Sequence, residues 1–394
     1  MHAGTGRRIP DPTVAPATPA AWAVRAERAS RADHGEPPEV SDRSVGPPPD
    51  RPSRRGWPVV ATLAVTVPVV LALIAGTVLV DRGPAVAGGR APAAGETGGA
   101  VYAGDFPDPS VLLVGDRYFA YSTQSGRFNL QVISSTDLTS WSAPSEALPA
   151  LPDWAEPGAT WAPAAAVDPA GGYELYFAAR DRVLGTQCIG RAVADTPAGP
   201  FVDSSPQPFL CQPSLGGSID PYLVSDQGVH YLVWKSDGAN GALQQVWSQT
   251  LAAHDDALLG APSLLLSATA PWENGVVEGP AMLVTPNGLY LYFSGNRWST
   301  SDYAIGVVGC DSPLGPCANG LSPVVLSTSS AMHGPGGPTF FTDRSGQELM
   351  AFAAWSGTPV SATGRRELYL YGVDTSGTFP TLVELLRPAA SRQG

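Results

Sequence analysis

The chain has 394 residues, a net charge of −12 and 15% charged residues, with 44 Gly and 40 Pro. Such a turn-rich, charge-poor composition disfavours long helices and favours many short strands. Residues 1–56 hold nine Arg against seven Asp and Glu, so the rest of the chain is more acidic than the whole and makes a poor partner for nucleic acid.

Residues 1–56 are rich in Pro, Ala, Arg and Glu and show little apolar periodicity. A stretch of this kind cannot bury enough surface to offset its ordering entropy, so it reads as a disordered tail. From Gly56 to Val80 the sequence GWPVVATLAVTVPVVLALIAGTVLV carries no charge and is long enough to cross a bilayer, which predicts a transmembrane anchor helix over 57–80. Arg51, Arg54 and Arg55 precede it, Asp81 and Arg82 follow it, and Pro68 inside it is tolerable in a membrane helix. The positive-inside rule then places the tail in the cytoplasm and the bulk of the chain outside. A cleaved signal peptide is the rival, with AVAGG and APAAG at 85–95 as cleavage sites, and it predicts a secreted protein. Residues 81–100 read as a flexible Gly/Ala/Pro linker, and 101–394 as the folded domain.

Cys188, Cys211, Cys310 and Cys317 all lie beyond the apolar span. An even count on the oxidising side predicts two disulfides, and locality pairs Cys188 with Cys211 and Cys310 with Cys317. The alternative, a zinc site, finds neither CxxC spacing nor clustered His in support.

Five segments within the domain look alike: GDRYFAYST from Gly115, GGYELYFAA from Gly171, GVHYLVWKS from Gly228, GLYLYFSGN from Gly288 and GQELMAFAA from Gly346. Each is a turn glycine followed by an apolar, aromatic-rich strand, and the starts are 56, 57, 60 and 58 residues apart. A unit of that size holds about four short strands, and its near-even repetition predicts an all-β, five-bladed β-propeller. A β-sandwich would show frequent turns but no such long period.

A propeller gathers the innermost strand of each blade around one axis, so acidic residues on those strands converge. Asp108, Trp161, Asp220, Glu278 and His333 each precede a repeat glycine, on an apolar strand near a proline. They are expected to face one cavity. Carboxylates crowded in a partly dry site repel one another, so one stays ionised as a base while another keeps a proton as an acid. Glycoside hydrolysis needs this division of labour, and Trp161 offers an indole face to a sugar ring.

The motifs DFPDPSV, WAPAAA, GGSIDPYLV, VEGPAMLV with LYLYFSGN, and GPGGPTFF, in this order, resemble glycoside hydrolase family 43 over about residues 101–375. The resemblance implies a five-bladed propeller and an inverting glycosidase acting on arabinan, arabinoxylan or their oligosaccharides, as an arabinofuranosidase or arabinanase. A β-xylosidase, or a propeller that binds glycan without cleaving it, are the alternatives. By motif, Asp108 is implied as the general base, Glu278 as the general acid and Asp220 as the residue that orients Glu278 and tunes its pKa. Asp105 is the second candidate for the base, and Arg366 in GRREL resembles a family arginine near the sugar. No cofactor is implied for hydrolysis. Many members carry a His in a Gly-Pro-Gly-His stretch, in some associated with a structural calcium. Here the stretch reads GPGGP, with Gly337 in that place and His333 four residues earlier.

Overall fold

The computed structural model describes residues 99–318, 323–356, 360, 364–377 and 379–385. The expected tail, the anchor helix over 57–80 and nearly all of the linker lie outside the described residues. Among the described residues no helix is long and apolar enough to cross a membrane.

The described chain forms five antiparallel sheets taken in sequence order. The first blade holds β1 (Ser110–Val114), β2 (Arg117–Ser122), β3 (Gln131–Ser135) and β4 (Ser145–Glu146). The second holds β5 (Trp161–Val167), β6 (Tyr173–Arg180) and β7 (Gln187–Ala194). The third holds β8 (Ser218–Asp226), β9 (Val229–Ser236), β10 (Gln245–Leu251) and β11 (Leu258–Ser267). The fourth holds β12 (Val277–Thr285), β13 (Gly288–Gly295), β14 (Ala304–Cys310) and β15 (Val324–Leu326). The fifth holds β16 (His333–Thr342), β17 (Glu348–Trp355), β18 (Arg366–Asp374) and β19 (Thr381–Glu384).

The five repeat glycines fall where the period puts them, in the turn between the first and second strand of each blade. All five have positive φ, from 60° at Gly115 to 152° at Gly288, a conformation that costs a glycine little and a side chain much. The first strands touch in a closed ring, β1 to β5, β5 to β8, β8 to β12, β12 to β16 and β16 back to β1. Packing between the blades closes in the same way. Each neighbouring pair shares one apolar cluster: Tyr121 with Phe177, Tyr176 with Trp234, Val233 with Phe293, Tyr292 with Phe352, and Ala120 with Leu349 across the closure. Burying a large apolar side chain stabilises by about 1.5–3 kcal/mol, so the aromatic-rich second strands carry much of the adhesion.

The start of the chain locks the ring. The Val101 N–H donates to Leu368 O at 2.7 Å and the Phe106 N–H to Arg366 O at 2.7 Å, so residues just before the first blade extend the sheet of the last. Both disulfides pair as expected, Cys188 with Cys211 and Cys310 with Cys317. The first pins the outer edge of the second blade, which has three strands and only isolated pairings of Ile189 with Leu210 and Val193 with Val202 beyond them.

Candidate active site

Four first strands are broken at one place, and in the first blade the equivalent residue stands just before β1. Asp108, Ala162, Asp220, Gly279 and Gly337 have φ of 51°, 44°, 54°, 53° and 64°, and each is followed by a proline. The ladders of β5, β8, β12 and β16 all slip register across these pairs. The physical reason is local. Proline has no N–H to give a ladder and turns the residue before it away from the right-handed helical region. A bulge there re-aims side chains and ends the pairing. Three of the five left-handed residues are not glycine, and the strain is held by the neighbouring blade. The Ala162 N–H donates to Thr123 Oγ1 at 2.8 Å, the Gly279 N–H to Asp220 Oδ2 at 2.8 Å and the Gly337 N–H to Ser294 Oγ at 2.9 Å.

This phasing refines the sequence reading. Asp108 and Asp220 occupy the left-handed position itself, whereas Trp161 and Glu278 stand one residue ahead of it. Gly337, not His333, is the fifth blade's residue in phase. His333 opens β16 opposite Trp355 and is not among the residues lining the cavity, so the expectation that it faces the common site is corrected. Asp105, Asp108, Trp161, Asp220, Glu278 and Arg366 all line a single cavity of about 620 Å³.

Each carboxylate in that cavity has its own surroundings. Arg366 Nη1 donates to Asp108 Oδ1 at 3.1 Å and Nη2 to Oδ2 at 3.4 Å, while Thr123 Oγ1 donates to Oδ2 at 2.6 Å. Asp108 is thereby held in one orientation with its charge answered. Asp105 has both oxygens engaged, Oδ2 by Ser125 Oγ at 3.0 Å and Oδ1 by the Arg366 N–H at 3.1 Å, which makes it a support for the Arg366 backbone. In the same cavity Lys235 Nζ donates to Glu278 Oε2 at 2.8 Å. Asp220 lines the same cavity. Burial pushes its carboxyl up to about 7, with the charges of Glu278 and Asp108 adding to the rise and Lys235 and the Gly279 N–H opposing it.

Two glycines of GPGGP make room for this arrangement. A Cβ on Gly336 would lie 1.8 Å from Tyr303 Cε1, so only glycine lets that ring in beside Glu278. Burial first, and then the Glu278 charge, hold the Tyr303 phenol well above its ordinary value, so it stays a hydrogen-bond donor. A Cβ on Gly337 would meet Asp108 Oδ1 at 3.3 Å. Around the axis, as elsewhere among the described residues, no three His, Cys, Asp or Glu side chains are grouped to hold a metal ion.

Several lining residues escaped the sequence reading. Lys235, Tyr303, Thr123, Trp298 and Trp355 all face the cavity. The Trp298 and Trp355 rings stack at 6.0 Å with 14° between their planes, and the Arg366 guanidinium lies 4.9 Å from the Trp298 ring centre. One of these carried a readable signal: Lys235 is the only lysine in the chain.

The profile of Glycosyl hydrolases family 43 matches residues 98–376. Among solved structures, the chain resembles a thermostable family-43 glycoside hydrolase at 23% identity and a TM-score of 0.65, over 77% of this chain and 98% of that one. It resembles an endo-1,4-β-xylanase from Bacteroides thetaiotaomicron VPI-5482 at 25% identity and a TM-score of 0.62, over 75% and 98%. An endo-arabinase from the same organism aligns at 20% identity and a TM-score of 0.56, over 70% and 96%. No curated protein matches by sequence. A profile match over most of the chain, on a five-bladed propeller whose bulged inner strands carry three carboxylates into one cavity, places this protein among the glycoside hydrolases of family 43.

Proposed function

We propose that this chain is an inverting glycosidase of arabinose- or xylose-containing polysaccharides or oligosaccharides, with Asp108 as general base, Glu278 as general acid and Asp220 as the residue that tunes the acid. The observation that carries the reading is the separation of counter-ions: within one cavity Asp108 is paired with Arg366 and Glu278 with Lys235. A base must be aimed at its water, and Thr123 with the Arg366 guanidinium fixes the orientation of the Asp108 carboxylate. In a single displacement Asp108 accepts a proton from water as its oxygen attacks the anomeric carbon. Glu278 gives a proton to the departing glycosidic oxygen. Trp161 supports the sugar face by stacking.

The arabinan reading is preferred and the β-xyloside reading kept beside it, because solved relatives are described as acting on both kinds of chain. The uncharged stretch 56–80 favours action outside the cytoplasm, as a tethered or secreted enzyme.

Proton NMR of the sugar released from aryl α-L-arabinofuranoside and aryl β-xyloside, with Glu278→Ala as control, tests this. Release of the inverted anomer by the wild type alone is the expected result and names the sugar. The retained anomer would end the single-displacement mechanism. Binding of arabinan or xylan without any cleavage would leave a glycan-binding propeller.

A further inference from the structure

Lys235 stands on β9, 3% exposed, in a chain that has no other lysine. Its partners across the sheet are Ile219 on β8 and Val246 on β10, which offer its charge nothing. A buried ammonium costs several kcal/mol unless carboxylates answer it. Three do: Glu278 on β12, Asp220 on β8 and Asp237 just beyond β9. Farther groups are already committed, Arg366 to Asp108 and the Tyr303 phenol to the Glu278 side. One ammonium with three N–H donors therefore serves three carboxylates, and its bond at 2.8 Å goes to Glu278.

Resting on the glycosidase reading above, we propose that Lys235 is a positioning residue of the acid machinery, which fixes Glu278 at the cavity wall and sets how the site's proton is divided between Glu278 and Asp220. A carboxylate bonded to an ammonium favours its ionised form, and a crowded, buried one without such a bond favours its neutral form. Neighbours tied in this way titrate as one couple. The couple's last proton is the one that leaves for the glycosidic oxygen as the C–O bond breaks and its electron pair passes to that oxygen. Asp108 meanwhile takes a proton from the water that forms the new C–O bond, and exchange with solvent returns a proton to the couple. Lys235 governs the pH at which that last proton is lost, and with it the alkaline limb of hydrolysis.

Because the lysine is unique, the full-length chain grown with ε-13C, ζ-15N lysine gives one side-chain signal. That signal is expected to shift with an inflection near pH 7, where the carboxyl of Asp220 titrates at about 7. Burial works against the ammonium, but Glu278, Asp220 and Asp237 hold it above its ordinary value, so it keeps its own proton throughout. Asp220→Asn removes the inflection. A signal flat from about pH 5 to about pH 9, or an amine that deprotonates within that range, overturns the proposal. In kinetics, Lys235→Met moves the alkaline limb of kcat/KM up by about one pH unit, since the couple keeps its proton longer without the cation. It also lowers kcat at least about tenfold on glycosides with poor leaving groups. Lys235→Arg restores the limb. A fall in kcat with an unmoved limb means a structural lysine and overturns the proposal. An inflecting signal in a chain that cleaves no glycoside keeps the lysine couple and removes the hydrolase reading instead.

Discussion

Two groups of carboxylates with basic partners lie among the described residues of this propeller, one half-buried at the cavity and one fully buried. The first is Asp108, Asp220 and Glu278 with Arg366 and Lys235 at the cavity. The second spans the second and third blades. There Arg191 Nε donates to Glu174 Oε2 at 2.9 Å and Nη2 to Asp168 Oδ2 at 3.1 Å, while His230 Nδ1 lies 2.6 Å from Asp255 Oδ2. Burial pushes the Glu174 carboxyl up to about 8, with Asp255 and Asp168 adding and Arg191 opposing, and so beyond Asp220 at about 7. A raised pKa is therefore not what separates the two groups. Strongly perturbed carboxylates mark function only where a ligand can reach them. None of the second group lines the cavity, and Arg191 is spent on two carboxylates and the His254 carbonyl. The first group lines the cavity, where a ligand can enter.

The largest effect that tests this contrast is on turnover. Asp108→Ala and Glu278→Ala should each lower kcat by about 10²–10⁴-fold, the usual worth of a positioned acid or base. The thermal midpoint should stay near that of the wild type. An Asp108→Ala enzyme that keeps its activity moves the base to Asp105 or ends the assignment. Next, Arg191→Met strands Glu174 and Asp168 without their cation and should cost about 3–5 kcal/mol in denaturant unfolding. The kcat/KM of the folded enzyme should not change. A fall in kcat/KM at constant stability would show that the two groups act as one.

The disulfides give a smaller effect on the same axis of stability. In the loop-entropy account, removing Cys188–Cys211, with its separation of 23 residues, costs about 3 kcal/mol, and removing Cys310–Cys317, with a separation of 7, about 2 kcal/mol. Calorimetry of the two double Cys→Ala variants checks the order. Equal losses would assign the stabilisation to native packing and not to loop length. The smallest effect is a slope. Glu174 keeps its proton to higher pH folded than unfolded, so its contribution is complete below its ordinary 4.5 and is lost as pH rises to about 8. Glu174→Gln should flatten the decline of stability with pH over that window. An unchanged slope would place the titrating group elsewhere.

Much of this molecule was legible before any coordinates. The period of the turn glycines counts the blades, because each hairpin needs a left-handed residue at the same point of its unit. The cysteine pairing follows from proximity in sequence. Asp108, Asp220 and Glu278 stand out because each touches a proline or a Gly-Pro on an apolar strand, and the proline is the cause of the bulge that delivers them to the axis. Even the unique Lys235 was in view, though its meaning was not: a lysine in an apolar strand names no partner until Glu278, 43 residues later, comes within 2.8 Å. His333 misled because a sequence near a proline does not show which proline breaks the ladder. Glu174, Asp168, Asp255 and Arg191 gave no sign at all. Sequence by itself determined the repeat, the blade count, the disulfides and the family, since these depend on local backbone preference and on order along the chain. Only the tertiary structure decided which carboxylates share a cavity, which share a cation and which are merely buried, because those depend on where the five first strands converge.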